Sequence, residues 1–574
     1  MSRDASSVQH SGVGMPRARI SPVHLVLGLI LLGSFVIRVI GARHGLPLVY
    51  SPDEYWHYVY VAVQFFTDGY DPGYFFNPPA FSYLLHAVFW VTLRGGANVT
   101  GTYVTHPETI YLIARITTAV LGSLGVWLAY LTGARLFDRT VGLIAAAILA
   151  VAALPVYQSH LAVNDVPMLV LVLLSLFGSA GALRKGRLVD YLLAGVGLGL
   201  AAATKYTAGI VLLPLLAAVF VQFRSERGRA LGGLAAGLGA AAAAFFVANP
   251  FALLNFSTFW EQFGGLPTSP TEGSRKIGEP ETSGIRYYLW VLTWGIGWVP
   301  CAAALVGSVA LFRRDRPGAA LLLPAPVLFI LFTGSLLRYF GRYLLPVFPM
   351  VILVAAYGAD RVLARVAELV PRARVALVAV AVAALLGQGT VRSVHSDLVL
   401  TRTDTRNPTL AWLTRNVTPG TKLQVEPTAR NGWILARPQV YRGDLEMLGL
   451  HPVLARRAGV PQSELERVPE DKYVAQLEPS LIDAYIDQGI CWVVSENSTS
   501  GRAQAEPKRV PQAIEYYEEL SRRARVAYRV SPYDAGSDGV PFKFDLVAAY
   551  YPFEFHRPGA AMTVYRITEG ECSE

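Results

Sequence analysis

Two adjacent carboxylates and a histidine stand in Ser51-Pro52-Asp53-Glu54-Tyr55-Trp56-His57, directly after the first apolar stretch. A third acid, Asp165, sits in Asn164-Asp165-Val166-Pro167, and four cations, Arg115, Lys205, Arg338 and Arg342, lie near the ends of other apolar stretches. A carboxylate can orient a hydroxyl and take its proton. A fixed cation can hold the charge that develops on a leaving oxyanion. At a membrane surface such groups are costly unless paired, solvated or functional. Each also has a plainer reading. Pro52, Asp53 and Glu54 suit the first turn of an interfacial helix, with Tyr55 and Trp56 as an aromatic belt and His57 among them. Asp165 could cap a helix. Lys205, beside Tyr206, could snorkel to the interface. Arg338 and Arg342, in Arg338-Tyr339-Phe340-Gly341-Arg342-Tyr343, are four apart and could meet lipid headgroups from one helix face. Arg115 could pair with an acid to hold two helices together.

The elements that must carry these residues are membrane helices. The chain has 574 residues, 53% apolar and only 16% charged. Apolar runs near the ~20 residues needed to cross a bilayer fall at roughly 22–41, 110–132, 140–157, 166–183, 188–203, 207–223, 230–248, 286–312, 318–336, 341–358 and 374–391. The expected fold is mainly α, a polytopic bundle of about eleven spans. Basic residues mark every second connection: Arg17 and Arg19, Arg135 and Arg139, Arg184 to Arg187, Arg224 to Arg229, Arg313 to Arg316, and Arg361 to Arg374. That pattern makes those connections and the N-terminus cytoplasmic, in a plasma-membrane protein. Residues 1–20 lack a cleavage pattern and read as an uncleaved tail. The alternate connections face outward, and they hold all the unusual charges. The formal charge of +9 belongs to these topogenic loops, which sets nucleic acid aside.

Within the first outer loop, about 42–109, residues 54–67 and 80–93 read as two interfacial or re-entrant helices. The outer loop at about 249–285 is Gly-, Pro- and Ser-rich over 264–284 and reads as a mobile gate or a plain linker. After about residue 392 the composition becomes that of a soluble, extracytoplasmic α/β domain. Strands are expected at 421–426, 491–495, 525–530 and 562–567, and helices at 407–416, 478–488 and 511–523. The division is therefore 1–391 and 392–574. Of the cysteines, Cys301 lies in a span, so at most Cys491–Cys572 can form a disulfide, and no metal spacing appears.

Carboxylates beside cations, next to lipid and without a nucleotide-binding motif, suit transfer of a sugar from a lipid-linked phosphate to an acceptor hydroxyl. A lipid-linked sugar transporter or flippase, or a noncatalytic envelope assembly factor, would be the alternatives. A transporter should show inverted repeats and midplane polar residues; here the charges gather at the outer rim.

In order along the chain, Asp53-Glu54, Ala114-Arg115-Ile116, Ser159-His160-Leu161-Ala162-Val163-Asn164-Asp165-Val166-Pro167-Met168, Ala203-Thr204-Lys205-Tyr206 and Arg342-Tyr343-Leu344-Leu345-Pro346-Val347-Phe348-Pro349 resemble the GT-C superfamily of membrane glycosyltransferases, in its protein O-mannosyltransferase and aminoarabinose (lipid A) transferase branch. The resemblance implies inverting transfer from a polyprenyl-phosphate sugar to a lipid, glycan or protein acceptor. It makes Asp53 the acceptor-positioning general base, with Glu54 its partner in placing the acceptor or a metal and Asp165 completing the site. Arg115, Lys205, Arg338 and Arg342 would hold the donor phosphate or the first loop, with His57, Tyr206 and Tyr343 beside them. Some members bind a divalent metal and others need none, which leaves a metal open. The C-terminal part does not resemble the sugar-binding repeat domain of eukaryotic protein mannosyltransferases, so a protein acceptor does not follow.

Overall fold

The computed structural model describes residues 21–266, 275–279, 283–337, 340–369, 371–435, 445–448, 470–537, 539–542 and 550–573. Helices dominate, because an apolar segment in lipid must satisfy its backbone groups internally. Among the described residues seven helices are long and apolar enough to cross a membrane, or eight if one bent pair counts as a span. The eleven expected spans are not all reached by this measure. Arg139–Val151 and Leu188–Thr204 have only 13 and 17 residues. Phe348–Leu369 carries Asp360, Arg361, Arg365 and Glu368 toward its end. The expected straight span over 286–312 is two helices, Gly284–Gly295 and Trp298–Arg314, bent by 112°. Gly297, at φ 122°, makes the corner, a conformation that side-chain-bearing residues rarely adopt. Gln388 closes it: its Nε2 donates to the Thr293 carbonyl at 2.9 Å and its Oε1 accepts from the Trp298 N–H at 2.8 Å.

Small residues bring the helices together. A Cβ on Gly195 would stand 2.0 Å from the Gly237 carbonyl oxygen, and one on Gly199 2.1 Å from that of Ala241. Helices Leu188–Thr204 and Arg227–Ala248 therefore meet backbone to backbone. The connections expected on the inner side are tied as well as basic: Arg135 pairs with Asp190, and Arg184 with Asp315.

The loop expected on the outer side after the first span contains a turn of π-helix, Glu54–Val59, running into Tyr60–Gln64, and then the short apolar helix Ala80–Leu93. A further helix, Gly96–Thr105, was not legible in its polar sequence. In the 249–285 connection the described piece 275–279 is held fast on the C-terminal part. Arg275 pairs with Glu506, the Gly278 N–H donates to Glu506 Oε2 at 3.1 Å, and Arg502 Nη1 donates to the Ile277 carbonyl at 3.0 Å. Ile277, 5% exposed, is buried in the same apolar core as Tyr485 and Leu520. This piece, expected to be mobile, is anchored by those contacts; 267–274 and 280–282 lie outside the described residues.

The C-terminal part is built on a five-stranded sheet, β1 (Lys422–Val425), β2 (Glu446–Leu448), β3 (Trp492–Glu496), β4 (Ala524–Val530) and β5 (Met562–Ile567), in the order β2-β1-β3-β5-β4. β1 runs parallel to β2 and β3, whereas β5 is antiparallel to β3 and β4. Four of these are the expected strands; β2, of three residues, was not foreseen. The expected helices appear as Arg406–Asn416, Ser480–Ile486 and Pro511–Arg523. Cys491 and Cys572 form a disulfide.

Two acids meet where β1 and β3 end. Glu426 accepts from the Glu496 N–H at 2.7 Å and from the Tyr517 hydroxyl at 2.8 Å, and Glu496 accepts from the Thr428 N–H at 2.8 Å. Burial pushes the Glu426 carboxyl up to about 8; its hydrogen bonds oppose that rise and the Glu496 charge adds to it. A group whose proton is held more tightly folded than unfolded stabilises fully below its unfolded pKa and loses that contribution as pH rises through the folded one. Thermal stability of this part should therefore fall between about pH 4.5 and 8. Melting curves across that range should show the slope, and Glu426→Gln should flatten it.

Candidate functional site

Asp53 follows Pro52 and opens the π-helical turn, whose wide spacing is found often at functional sites. Its Oδ2 meets Arg342 Nη1 at 2.7 Å. Arg342 sits in the short turn Gly341–Leu344, ahead of helix Phe348–Leu369, with its guanidinium 5.1 Å from the Phe340 ring centre. Asp165 opens helix Asp165–Lys185, but its Oδ1 takes Lys205 Nζ at 2.5 Å. That use explains the acid better than a cap does. Lys205 can reach because the chain leaves helix Leu188–Thr204 in extended conformation there, at φ −156° and ψ 118°. Its ammonium lies 5.4 Å from the ring centre of Tyr343, the residue next to Arg342.

The two pairs form one network. Lys205 feels Arg342 and Asp53 as well as Asp165, and Arg342 feels Asp165 as well as Asp53. Access is graded: the side chains of Asp53, Arg342, Lys205 and Asp165 are 31%, 19%, 13% and 2% exposed. Asp53 is the member an incoming molecule can touch most readily. Burial alone would raise its carboxyl, but Arg342, with His57 and Lys205, outweighs burial and holds it below the ordinary carboxylate range. Resting Asp53 is thus ionised and a weak base.

Glu54 and Arg115 are elsewhere engaged. They form a bidentate pair, Nε to Oε1 at 2.8 Å and Nη2 to Oε2 at 2.9 Å, with side chains 0% and 1% exposed. Arg115 Nη1 also donates to the carbonyls of Ala42 and His44 at 2.9 and 2.8 Å, and Glu54 Oε1 accepts from the Ala162 N–H at 2.8 Å. Three guanidinium nitrogens are committed inward. The pair clamps the start of the first outer loop to helix Pro107–Leu136 and to the 159–165 turn that leads into Asp165. Of the two roles expected for Arg115, holding the first loop is the one this geometry serves.

His57 stacks on Tyr74, ring centres 5.0 Å apart. Burial lowers its pKa despite the neighbouring Asp53 charge, so it is neutral near pH 7. The Tyr206 hydroxyl donates to the Phe75 carbonyl at 2.8 Å, fixing the middle of the first loop. Arg338 lies outside the described residues. Three contributors escaped the sequence reading. Tyr58, 3% exposed, lies within the fields of Asp53, Asp165 and Arg342. Asn164 Nδ2 donates to the Thr204 carbonyl at 2.7 Å, next to Lys205. His160 Nε2 donates to the Ile40 carbonyl at 2.7 Å, tying the same turn to the first span. His160 and Asn164 had a signal, their place in the stretch that holds Asp165; Tyr58 had none. Among the described residues no three His, Cys, Asp or Glu gather as a metal-ligand set.

Residues 109–253, which include Arg115, Asp165 and Lys205, match the family model described as dolichyl-phosphate-mannose-protein mannosyltransferase. In fold the chain superposes on ArnT from Cupriavidus metallidurans, solved bound to undecaprenyl phosphate, with a TM-score of 0.51 at 17% identity, covering 94% of this chain and 97% of that one. The chain has the GT-C glycosyltransferase fold. A second GT-C structure, the apo oligosaccharyltransferase of Archaeoglobus fulgidus, gives a TM-score of 0.52 at 15% identity, covering 91% and 75% of the two chains. The same organism's AglB in complex with an inhibitory peptide and a dolichol-phosphate gives 0.50 at 13%, covering 86% and 72%. No curated protein matches the chain by sequence. Its apolar helices and this fold make it a multi-pass membrane protein.

Proposed function

We propose that the chain transfers a sugar from a polyprenyl-phosphate donor to an acceptor hydroxyl, with inversion, on the extracytoplasmic face of the plasma membrane. In this reading 1–391 is the catalytic membrane domain and 392–574 an extracytoplasmic domain. The observation that carries it is the joined pair of ion pairs, Asp53–Arg342 and Asp165–Lys205, near helix ends that the basic loops predict to face outward. Structures of this fold contain undecaprenyl phosphate or a dolichol-phosphate, which supports a lipid-linked donor.

A phosphate is a stronger partner for a guanidinium and an ammonium than a single carboxylate is. Donor phosphate entering beside Arg342 and Lys205 would draw both cations from their acids. Asp53 would then lose the interaction that depresses its basicity, just as the acceptor arrives. The acceptor oxygen attacks the anomeric carbon and the bond to the phosphate oxygen breaks. Arg342 and Lys205 hold the charge that develops on the phosphate. Asp53 accepts the acceptor's proton late in the transfer. Asp165, too buried to meet the acceptor, holds Lys205 in place until the donor arrives. Glu54 and Arg115 hold the loop that presents Asp53.

Purified protein with a radiolabelled polyprenyl-phosphate sugar tests the reading directly. Arg342→Ala and Lys205→Ala should each weaken donor binding roughly 10-fold or more, as loss of a charged hydrogen bond of about 1.5–3 kcal/mol implies. Unchanged donor affinity in both variants would refute the phosphate assignment.

A further inference from the structure

Apart from the ion-pair site, a cavity of about 590 Å³ lies where the first span and helix Arg374–Leu400 end and helix Pro107–Leu136 begins. Its chemistry is two-sided. Arg43 and Arg402, both exposed, stand on its polar side, and Leu112, Ile116 and Leu400 line its apolar side. The one acid in its wall, Asp404, is already spent on Arg406, at 2.8 and 2.7 Å. The cavity is therefore net positive. The three helices bordering it carry exposed apolar side chains, Val36 at 44%, Val120 at 51% and Leu398 at 54%, the kind of face that lies against acyl chains.

From this juxtaposition we infer that the cavity binds the phosphate headgroup of an anionic membrane lipid. A soluble anion would leave the apolar wall uncovered, and a neutral lipid would leave two cations unanswered. A phosphate on an acyl-bearing lipid satisfies both, at the depth where headgroups sit. The site is separate from the donor position and does not depend on the transfer reading. It is nonetheless wired to it. The cavity wall includes the 41–46 turn, whose Ala42 and His44 carbonyls are held by Arg115, and the same guanidinium holds Glu54 beside Asp53. A headgroup on Arg43 would steady the turn from which the Asp53 loop is hung.

Native mass spectrometry of the purified full chain, titrated with phosphatidylglycerol or phosphatidylcholine, tests this. The wild type should retain phosphatidylglycerol at concentrations on the order of 10-fold below those needed for phosphatidylcholine, as two cations near a lipid surface imply. Arg43→Glu should abolish the preference, and Arg43→Lys should keep most of it. Arg43 is exposed and enters no ion pair among the described residues, so these variants should fold as the wild type does. Arg402 Nη1 donates to the His556 carbonyl at 2.6 Å, so Arg402→Ala serves as the confirming variant, read against its own melting curve. Equal retention of both lipids by the wild type would overturn the inference. So would an undiminished preference in Arg43→Glu, or displacement of the lipid by glycerol phosphate at the lipid's own concentration, which would mark a site for free phosphate.

Discussion

Asp53→Asn is expected to lower the rate of sugar transfer by about 10²–10⁴-fold, the usual contribution of a positioned base, while donor binding holds or tightens. The asymmetry follows from the Asp53–Arg342 contact at 2.7 Å. Asparagine keeps the shape and an acceptor oxygen but loses the charge. Arg342, no longer neutralised by its resting partner, meets the donor phosphate more freely. The same contact sets the pH response. Because its cations hold Asp53 below the ordinary carboxylate range, the free enzyme loses its base only as pH falls through that lowered value. The acid limb of kcat/KM should therefore lie below the ordinary Asp pKa of about 3.9, with the profile level above it. Single-turnover transfer with labelled donor, beside a donor-binding titration, separates the two effects. Full transfer by a folded Asp53→Asn protein would remove Asp53 from the chemistry. A raised KM for the acceptor with kcat unchanged would leave it only a positioning role.

The second large effect is one of stability. Arg115→Ala should destabilise the membrane part by about 3–5 kcal/mol, the cost of leaving one member of a buried ion pair alone. The substitution strips Glu54 of both its Arg115 contacts in a place where its side chain is 0% exposed. It also orphans the Ala42 and His44 carbonyls. Arg115→Lys should recover only part of the loss, since an ammonium cannot span both carboxylate oxygens and two carbonyls in the guanidinium's planar fork. Glu54→Gln should be milder, because a side-chain oxygen remains to accept from the Ala162 N–H. Thermal loss of the monodisperse, detergent-solubilised protein measures this order. If Arg115→Ala melts with the wild type and loses only donor affinity, Arg115 is a phosphate ligand after all and the clamp is incidental.

Much of this was legible because lipid makes sequence speak plainly. Runs such as 166–183 can be little other than membrane helices, and charges such as Asp165 and Lys205 at their ends stand out because they are costly. What the residues withheld was partnership. Arg115 was open to pairing with some acid, but no spacing says that the acid is Glu54, 61 positions away. That choice is made by tertiary packing. The corner at Gly297 was hidden because an apolar run reads alike whether it crosses straight or turns back. β2 was too short to show a period. The docking of 275–279 was masked by its composition: Gly and Pro around it signal a loop, and only a buried Ile277 reveals that the loop is anchored.

The strand order of the C-terminal sheet carries a consequence for how the protein is made. β5, the latest strand in the chain, is not at an edge but between β3 and β4. Among the described residues β4's only ladder partner in the sheet is β5. As the polypeptide emerges, β1, β2 and β3 can pair among themselves, while β4 must wait, unpaired, until some thirty further residues have followed it. Closure of the sheet, and with it the Cys491–Cys572 link, then waits on β5 and comes as one step rather than gradually. An interruption between residues 530 and 562 leaves an open, sticky β3 flank, the kind of edge that captures other chains.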